Sequence, residues 1–203
     1  MPSVYDLKPR FQALLRPLVQ RMAVAGIRAN QVTVAAMLAS LLVGLAVGRT
    51  AGGHRWVWGL LPLWLLLRMA LNAIDGMLAR EHGQASRLGA VLNELGDVVA
   101  DAGLYLPLAL TPDFSLWPLA VFVLLAVLTE MTGVIGVQIG ASRRYDGPLG
   151  KSDRALVFGV LGLLLALGVP GGPWQDGLVW LLACLGALTV LNRARAALRE
   201  PGA

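Results

Sequence analysis

Charged residues are scarce in this sequence: they form 14% of its 203 residues, whereas a soluble domain carries about 25%. Hydrophobic residues make up 57%, and the mean hydropathy is +0.68. This balance is typical of a membrane protein and leaves no room for a second large domain. The net charge of +5 lies in short clusters between apolar runs. Because no nucleic-acid-binding motif accompanies these clusters, no nucleic-acid partner is expected.

Cysteine is nearly absent as well. Cys184 is the one cysteine, so an intrachain disulfide and a cysteine-rich metal site are both excluded. A continuous apolar segment is missing from the first 27 residues, where Lys8, Arg10, Arg16 and Arg21 interrupt any such run. We therefore expect no cleavable signal peptide there.

Residues 1–29 are predicted to form an amphipathic juxtamembrane segment. Apolar and basic positions alternate along it, and one helical face can collect Leu14, Leu15, Leu18 and Met22. Such a helix lies on a membrane surface with its apolar face toward the lipid.

Six apolar segments follow in residues 30–203, which we take as one transmembrane domain. About 20 apolar residues suffice to span a bilayer. The predicted fold class is therefore an all-α membrane protein, with six transmembrane helices preceded by the amphipathic surface helix. These spans are predicted near residues 31–50, 56–80, 87–110, 116–140, 153–169 and 174–195. Basic residues cluster before the first span and after the second, fourth and sixth spans, which places all of these clusters on one side of the membrane. Because basic loops stay in the cytoplasm, both termini are predicted to be cytoplasmic, in a bacterial inner membrane.

Two helical stripes of polar and small residues occupy the second and third predicted spans. The first stripe consists of Arg68, Asn72, Asp75 and Ala79, and the second of Gly89, Asn93, Asp97 and Asp101. The short hairpin at 81–86 makes the two helices antiparallel neighbours, so that the stripes can face each other. Carboxylate and amide oxygens suit Mg²⁺, which would neutralise a pyrophosphate. The alternative is a buried polar network that only holds the helices together.

The segment from Asn72 to Asp97 resembles the signature of the CDP-alcohol phosphotransferase family, D-x2-D-G-x2-A-R-x8-G-x3-D-x3-D. Six of its eight fixed positions match without a gap, namely Asp75, Gly76, Ala79, Arg80, Gly89 and Asp97. The resemblance implies an integral-membrane enzyme that moves a phosphatidyl or other phospho-alcohol group from a CDP-linked donor, usually CDP-diacylglycerol, to an acceptor alcohol. CMP is released, and the reaction belongs to phospholipid biosynthesis.

The resemblance also implies roles for individual residues. Asp97 would be the catalytic base, and Mg²⁺ or Mn²⁺ would be held by Asn72, Asp75, Asn93 and Asp97. The donor nucleotide and phosphates would contact Gly76, Ala79, Arg80 and Gly89, and a looser match at the first span adds Asn30 and Thr33. The acceptor would meet Arg143, Arg144, Lys151 and Arg154. Membrane lipids would surround the protein, and a homodimer is the family expectation.

Some of these positions have a second interpretation. Asn30 is equally suited to be the N-cap of the first span. The basic residues before the fifth span also fit cytoplasmic topology and contact with lipid headgroups.

Two departures from the signature concern charge. Asn72 and Asn93 stand where the family has aspartates, so the site has two fewer negative charges. One metal ion is therefore expected rather than two. Charge compensation is predicted from Arg68, Glu94 and Asp101, although Arg68 equally suits a buried ion pair without a catalytic part.

Two other functions compete with the enzyme. The two asparagines allow a catalytically inactive relative that acts as a lipid- or nucleotide-binding scaffold. A small transporter with intramembrane acids as a proton relay is the third hypothesis, and it predicts polar residues near the middle of several spans.

Overall fold

The protein, seen in a computed structural model, is built from helices that run back and forth along one bundle. The structure describes the backbone of residues 4–200 and the side chains of residues 9–200. Within this part it contains helices α1 (Val4–Val24), α2 (Ala29–Thr50), α3 (Leu60–Glu81), α4 (Arg87–Tyr105), α5 (Leu116–Gln138), α6 (Lys151–Ala166) and α7 (Pro173–Arg199). Single 3₁₀ turns at Arg55–Gly59 and Leu106–Leu110 precede α3 and follow α4.

The predicted all-helical class is confirmed, since residues 4–200 contain no strand. Four segments are long and apolar enough to cross a membrane, namely α2, the 3₁₀ turn with α3, α5 and α7. Helix α4 bears one of the polar stripes, and α6 has only 16 residues. Each predicted span therefore contains a helix, and four of the six meet the requirement for crossing by length and composition. The outermost residues of the two predicted regions, 1–3 and 201–203, lie outside the described part.

Small residues bring α2 into backbone contact with α4. Ser40, Gly44 and Gly48 are buried at four-residue spacing on the same face of α2. A Cβ atom on Gly44 would lie 1.9 Å from the carbonyl oxygen of Gly103, and one on Gly48 would lie 2.1 Å from that of Pro107. Any side chain at Gly44 or Gly48 would push α2 away from α4 and from the 3₁₀ turn that follows it, so these two glycines fix how α2 lies against them.

Helix α1 packs on α3 near the end of α3. Val19 is fully buried in a cluster with Ile74 and Met77, and Arg16 makes two hydrogen bonds of 3.0 and 3.1 Å to the carboxylate of Glu81. Leu14 stays exposed, as do Phe11 and Leu18 on the outer side of the helix. This outward apolar surface suits the predicted position on a membrane surface, which stays a prediction.

One end of the bundle collects most of the polar groups. Arg143, in the loop between α5 and α6, forms an ion pair with Glu94 of α4. Arg144 in the same loop binds Glu200, just beyond α7, at 2.7 Å. Helix α1 also contacts the last turn of α3 at this end, through Arg16. We call this the polar end, and it contains the candidate site.

Candidate active site

The polar stripes of α3 and α4 face each other, since Arg68 of α3 pairs with Asp101 of α4. Asp75 is 5% exposed, and its Oδ2 accepts a hydrogen bond of 2.8 Å from the Thr33 hydroxyl of α2. Asp97 is in direct contact with α3, since its backbone carbonyl accepts a hydrogen bond of 3.2 Å from Arg68. Lys151, the first residue of α6, in turn forms an ion pair with Asp97. Four helices thus contribute side chains to one small region.

A cleft of about 330 Å³ opens beside Asp75. Its walls come from the start of α2, the last turns of α3, the α3–α4 connection and the first turns of α4. All six residues that the sequence assigned to the donor line it: Asn30, Thr33, Gly76, Ala79, Arg80 and Gly89. Asn93 and Glu94 complete the α4 wall. We call this space the donor cleft.

The two signature glycines make room for polar groups of the chain itself. A Cβ atom on Gly89 would lie 2.8 Å from Asn30 Oδ1 and 3.0 Å from Ser86 Oγ. A Cβ atom on Gly76 would lie 3.1 Å from the guanidinium of Arg80. The missing side chains let Asn30 and Arg80 approach the backbone closely, where they form part of the cleft wall.

Asn30 is not the N-cap of α2, so that alternative is wrong. The helix begins at Ala29, and the amide of Arg28 donates a hydrogen bond of 2.9 Å to the side-chain oxygen of Gln31. The amide side chain of Asn30 therefore lies in the first turn and faces Gly89 across the cleft.

The predicted metal ligands divide between two clefts. Asp75 and Asn93 line the donor cleft. Asn72 lines a second cleft of about 210 Å³, together with Arg68 and Lys151, which we call the inner cleft. Their oxygens have the chemistry of a Mg²⁺ or Mn²⁺ site, but Asp75 and Asp97 alone among the four carry charge. Across the described side chains, no three His, Cys, Asp or Glu residues are grouped to hold a metal ion.

Arg68 and Asp101 form the centre of a buried ionic network. Arg68, 4% exposed, donates to Asp101 Oδ1 at 2.5 Å and to the backbone carbonyl of Asp97 at 3.2 Å. Its second amino group lies 3.7 Å from the Asp97 carboxylate. The sequence left two roles open for Arg68, a buried ion pair and a positive charge near the site. Arg68 has both, because it pairs with Asp101 and also lies beside Asp97.

The network continues away from the clefts. Arg154 of α6 lies 2.9 Å from Asp101 and 3.0 Å from Glu130 of α5. Arg193 of α7 lies 3.5 Å from Glu130 and donates to the carbonyl of Thr129 at 2.5 Å. Four carboxylates and five cations are joined in this way, namely Glu94, Asp97, Asp101 and Glu130 with Arg68, Arg143, Lys151, Arg154 and Arg193.

The four predicted acceptor residues do not converge on one pocket. Lys151 alone lies beside Asp97. Arg154 is 1% exposed and bound within the network. Arg143 pairs with Glu94 and lies over the ring of Tyr145. Arg144 lines a separate surface cleft together with residues at the end of α7.

Two polar residues of the donor cleft, Gln84 and Ser86, were not singled out from the sequence. Gln84 accepts a hydrogen bond of 2.7 Å from the amide of Ala29 and donates one of 3.3 Å to the carbonyl of Ile27. It thereby fastens the start of α2 to the α3–α4 connection. Ser86 is the N-cap of α4 and accepts from the amide of Gly89 at 3.0 Å. A serine just before an amphipathic run is a recognisable N-cap, whereas nothing local in the sequence marks Gln84.

The fold is shared with a solved phosphatidylinositol phosphate synthase. A crystal structure of Mycobacterium tuberculosis phosphatidylinositol phosphate synthase (PgsA1) with CDP-DAG bound superposes with a TM-score of 0.77 at 20% identity, covering 92% of this chain and 94% of that one. A second structure of that enzyme, with manganese and citrate, gives a TM-score of 0.76.

Sequence comparison gives the family. The sequence model of the CDP-alcohol phosphatidyltransferase family matches residues 27–191, so the chain belongs to that family. It is 43% identical to the inner membrane protein YnbA of Escherichia coli K12 over 97% of this chain and 96% of that protein. It is 30% identical to the phosphatidylinositol phosphate synthase of Mycobacteroides abscessus over 95% of this chain and 87% of that enzyme.

Proposed function

We propose that this protein transfers a phosphatidyl group from CDP-diacylglycerol to an alcohol and releases CMP, as a step in phospholipid biosynthesis. The observation that carries the proposal is the donor cleft, where all six residues expected to bind the donor surround Asp75. The family membership and the CDP-DAG bound to the M. tuberculosis relative support the choice of donor.

In the proposed reaction Asp97 accepts the proton of the acceptor hydroxyl. The hydroxyl oxygen then attacks the phosphorus that bears the diacylglycerol, and the bond from this phosphorus to the bridging oxygen breaks, so that CMP leaves. Arg80 contacts the donor phosphates from the cleft wall, and Thr33 holds the Asp75 carboxylate in place. Lys151 brings positive charge to the acceptor side of Asp97.

A divalent cation fits the oxygen donors of this site, and a manganese-containing structure of the M. tuberculosis relative supports its use. Asp75 and Asn93, which both line the donor cleft, would hold it there. When bound, it neutralises charge on the donor pyrophosphate. With two asparagines among the four predicted ligands, we propose one Mg²⁺ or Mn²⁺ ion rather than two.

An apolar groove between α3 and α6 offers a place for the donor's acyl chains. It has a volume of about 450 Å³ and is lined by residues such as Leu66, Leu156 and Leu163. The groove shares Met69 and Ser152 with the inner cleft, so it leads from the lipid-facing surface toward Asn72. A lipid donor would thus enter sideways from the bilayer while a water-soluble acceptor arrives from the polar end.

We further propose that α4 and α6 cross the membrane together with the four apolar segments, giving six spans in the domain of residues 30–203. Both termini would then be cytoplasmic, with α1 lying on the cytoplasmic surface. The basic residues support this orientation, since they cluster in the N-terminal segment, around the α3–α4 connection, in the loop before α6 and at the end of α7. The E. coli relative is named as an inner membrane protein. A homodimer remains the family expectation.

A catalytically inactive scaffold is the second candidate, favoured by the two asparagines and by the engagement of Asp97 with Lys151. One experiment separates the two functions. Purified protein is mixed with CDP-diacylglycerol, Mg²⁺ or Mn²⁺ and a panel of alcohols that includes glycerol phosphate, inositol phosphate and serine. We expect CMP release that depends on one acceptor of the panel. Binding of CDP-diacylglycerol without CMP release under any condition would overturn the enzymatic proposal in favour of the scaffold.

A further inference from the structure

The inner cleft is bordered by two cations at the place where the signature loses its first aspartate. Arg68 and Lys151 line this cleft together with Asn72. Both cations approach Oδ1 of Asp97, Lys151 as a direct ion pair and Arg68 at 3.7 Å. The α4 carboxylate therefore meets positive charge from α3 and from α6.

Arg68 is a fixed cation. Its side chain is 4% exposed and lies 2.5 Å from Asp101, and it also donates to the backbone of Asp97. An arginine keeps its charge at any pH in the range of protein stability, so this positive charge cannot be removed by deprotonation. Arg68 also lies one helical turn before Asn72 on the same face of α3.

The ionic network has no spare negative charge to offer a second metal ion. Its four carboxylates already face five cations, so the network by itself is positively charged. A divalent ion placed between Asn72 and Asp97 would meet one carboxylate that Arg68 and Lys151 already approach. The donor cleft differs, since Asp75 has the Thr33 hydroxyl as its hydrogen-bonding partner and no direct ion pair among the described side chains.

We propose that Arg68 and Lys151 together replace one divalent ion of a two-metal site. A single divalent ion then binds on the Asp75 and Asn93 side, and the two side chains supply the second positive charge beside Asp97. This inference rests on the proposed function only in placing the metal ion at Asp75 and Asn93, with Asp97 next to it. It explains why an asparagine is tolerated at position 72, because an aspartate there is needed only to hold the ion that the cations replace.

The first test counts ions on the unmodified protein. Full-length protein in lipid nanodiscs with CDP-diacylglycerol is titrated with Mn²⁺, and bound Mn²⁺ is measured by electron paramagnetic resonance and equilibrium dialysis. We expect one Mn²⁺ per chain at saturation. Two ions per chain, or none, would overturn the inference. The count does not depend on CMP release, so one bound ion without turnover would refute the proposed enzyme and leave this inference standing.

The second test moves charge within the inner cleft. The double variant Asn72→Asp with Lys151→Gln adds one carboxylate and removes one cation, and we expect it to bind two Mn²⁺ per chain. A matched control, Asn192→Asp with Arg195→Gln, makes the same charge change on the exposed surface of α7 and should still bind one. A count of one in the inner-cleft variant would overturn the inference. Should that variant fail to fold, the count on the unmodified protein decides alone.

Discussion

The donor cleft and the buried ionic network use the same kinds of residue in opposite ways. In the network Asp101 receives two arginines, and Arg154 is shared between two carboxylates. In the donor cleft Asp75 has one hydroxyl partner, and Arg80 folds over a glycine without an acidic partner among the described residues. Polar groups that are fully paired inside the protein connect helices, whereas polar groups left facing a cleft are available to a ligand.

Asp97 lies at the boundary between the two regions. It is one turn from Asp101 on α4, and both contact Arg68, yet the Asp97 side chain is 22% exposed and that of Asp101 is 6% exposed. Isosteric Asp→Asn substitutions at Asp97 and at Asp101 can therefore test whether the cleft and the buried network have different roles.

The largest effect is expected for Asp97→Asn. The amide cannot accept the acceptor's proton, so CMP release should fall by about 10²- to 10⁴-fold, the usual contribution of general-base catalysis. Thermal unfolding of the variant in detergent should stay close to that of the unmodified protein because the site is partly exposed. A variant that keeps the original rate of CMP release would show that Asp97 is not the base.

Asp101→Asn should act mainly on stability. Removing one partner of a buried ion pair leaves Arg68 and Arg154 without their shared carboxylate, which costs roughly 3–5 kcal/mol. We expect a clear drop in the unfolding temperature, as measured by circular dichroism in detergent. If Asp101→Asn keeps its unfolding temperature but loses CMP release as Asp97→Asn does, the division between the two regions is wrong.

Gly89→Ala probes the donor cleft itself. The added methyl group would displace the Asn30 and Ser86 oxygens, which lie 2.8 and 3.0 Å from its position. We expect KM for CDP-diacylglycerol to rise on the order of tenfold, as for one lost hydrogen bond of about 1.4 kcal/mol. Gly177→Ala is the matched control, because a Cβ atom there meets nothing within 4 Å. Equal KM values for the two variants would argue against donor binding at Gly89.

The smallest effect is expected in the loop between α5 and α6, where Arg144 and Asp146 form an ion pair that is open to solvent. Hydrogen bonds from Arg144 lower the pKa of Asp146 below its usual value. A lowered pKa means that this contribution is present above about pH 3.9, the ordinary aspartate value, and is lost as the pH falls further through the folded-state pKa. The hydrogen-exchange protection factors of the loop amides, which correct for the intrinsic pH dependence of exchange, should therefore be unchanged between pH 5 and pH 8. A protection factor that changes within that interval would contradict the lowered pKa of Asp146. The effect of this ion pair on stability is expected to be small, because exposed pairs contribute little.

The candidate site was partly readable from local spacing. The intervals between Asp75, Gly89 and Asp97 placed these residues on facing stripes, and the family resemblance added Asn30, Thr33 and Arg80. Structure placed all of the predicted donor residues along one cleft. The acceptor residues were grouped in the sequence by proximity along the chain. The structure separates them, because Arg143 and Arg144 lie in the loop before α6, whereas Lys151 and Arg154 lie on α6.

Sequence alone determined that the chain is helical and hydrophobic and which face of each helix is polar, because helical periodicity and hydropathy are local properties. Tertiary structure decided which faces meet. Arg68 finds Asp101 across 33 positions and Gln84 reaches Ala29 across 55. These partners depend on how the helices cross, which is set by close backbone contacts such as that of Gly44 with Gly103. A stripe specifies a direction around its own helix, and the neighbour lying in that direction is fixed by the packing of the whole bundle.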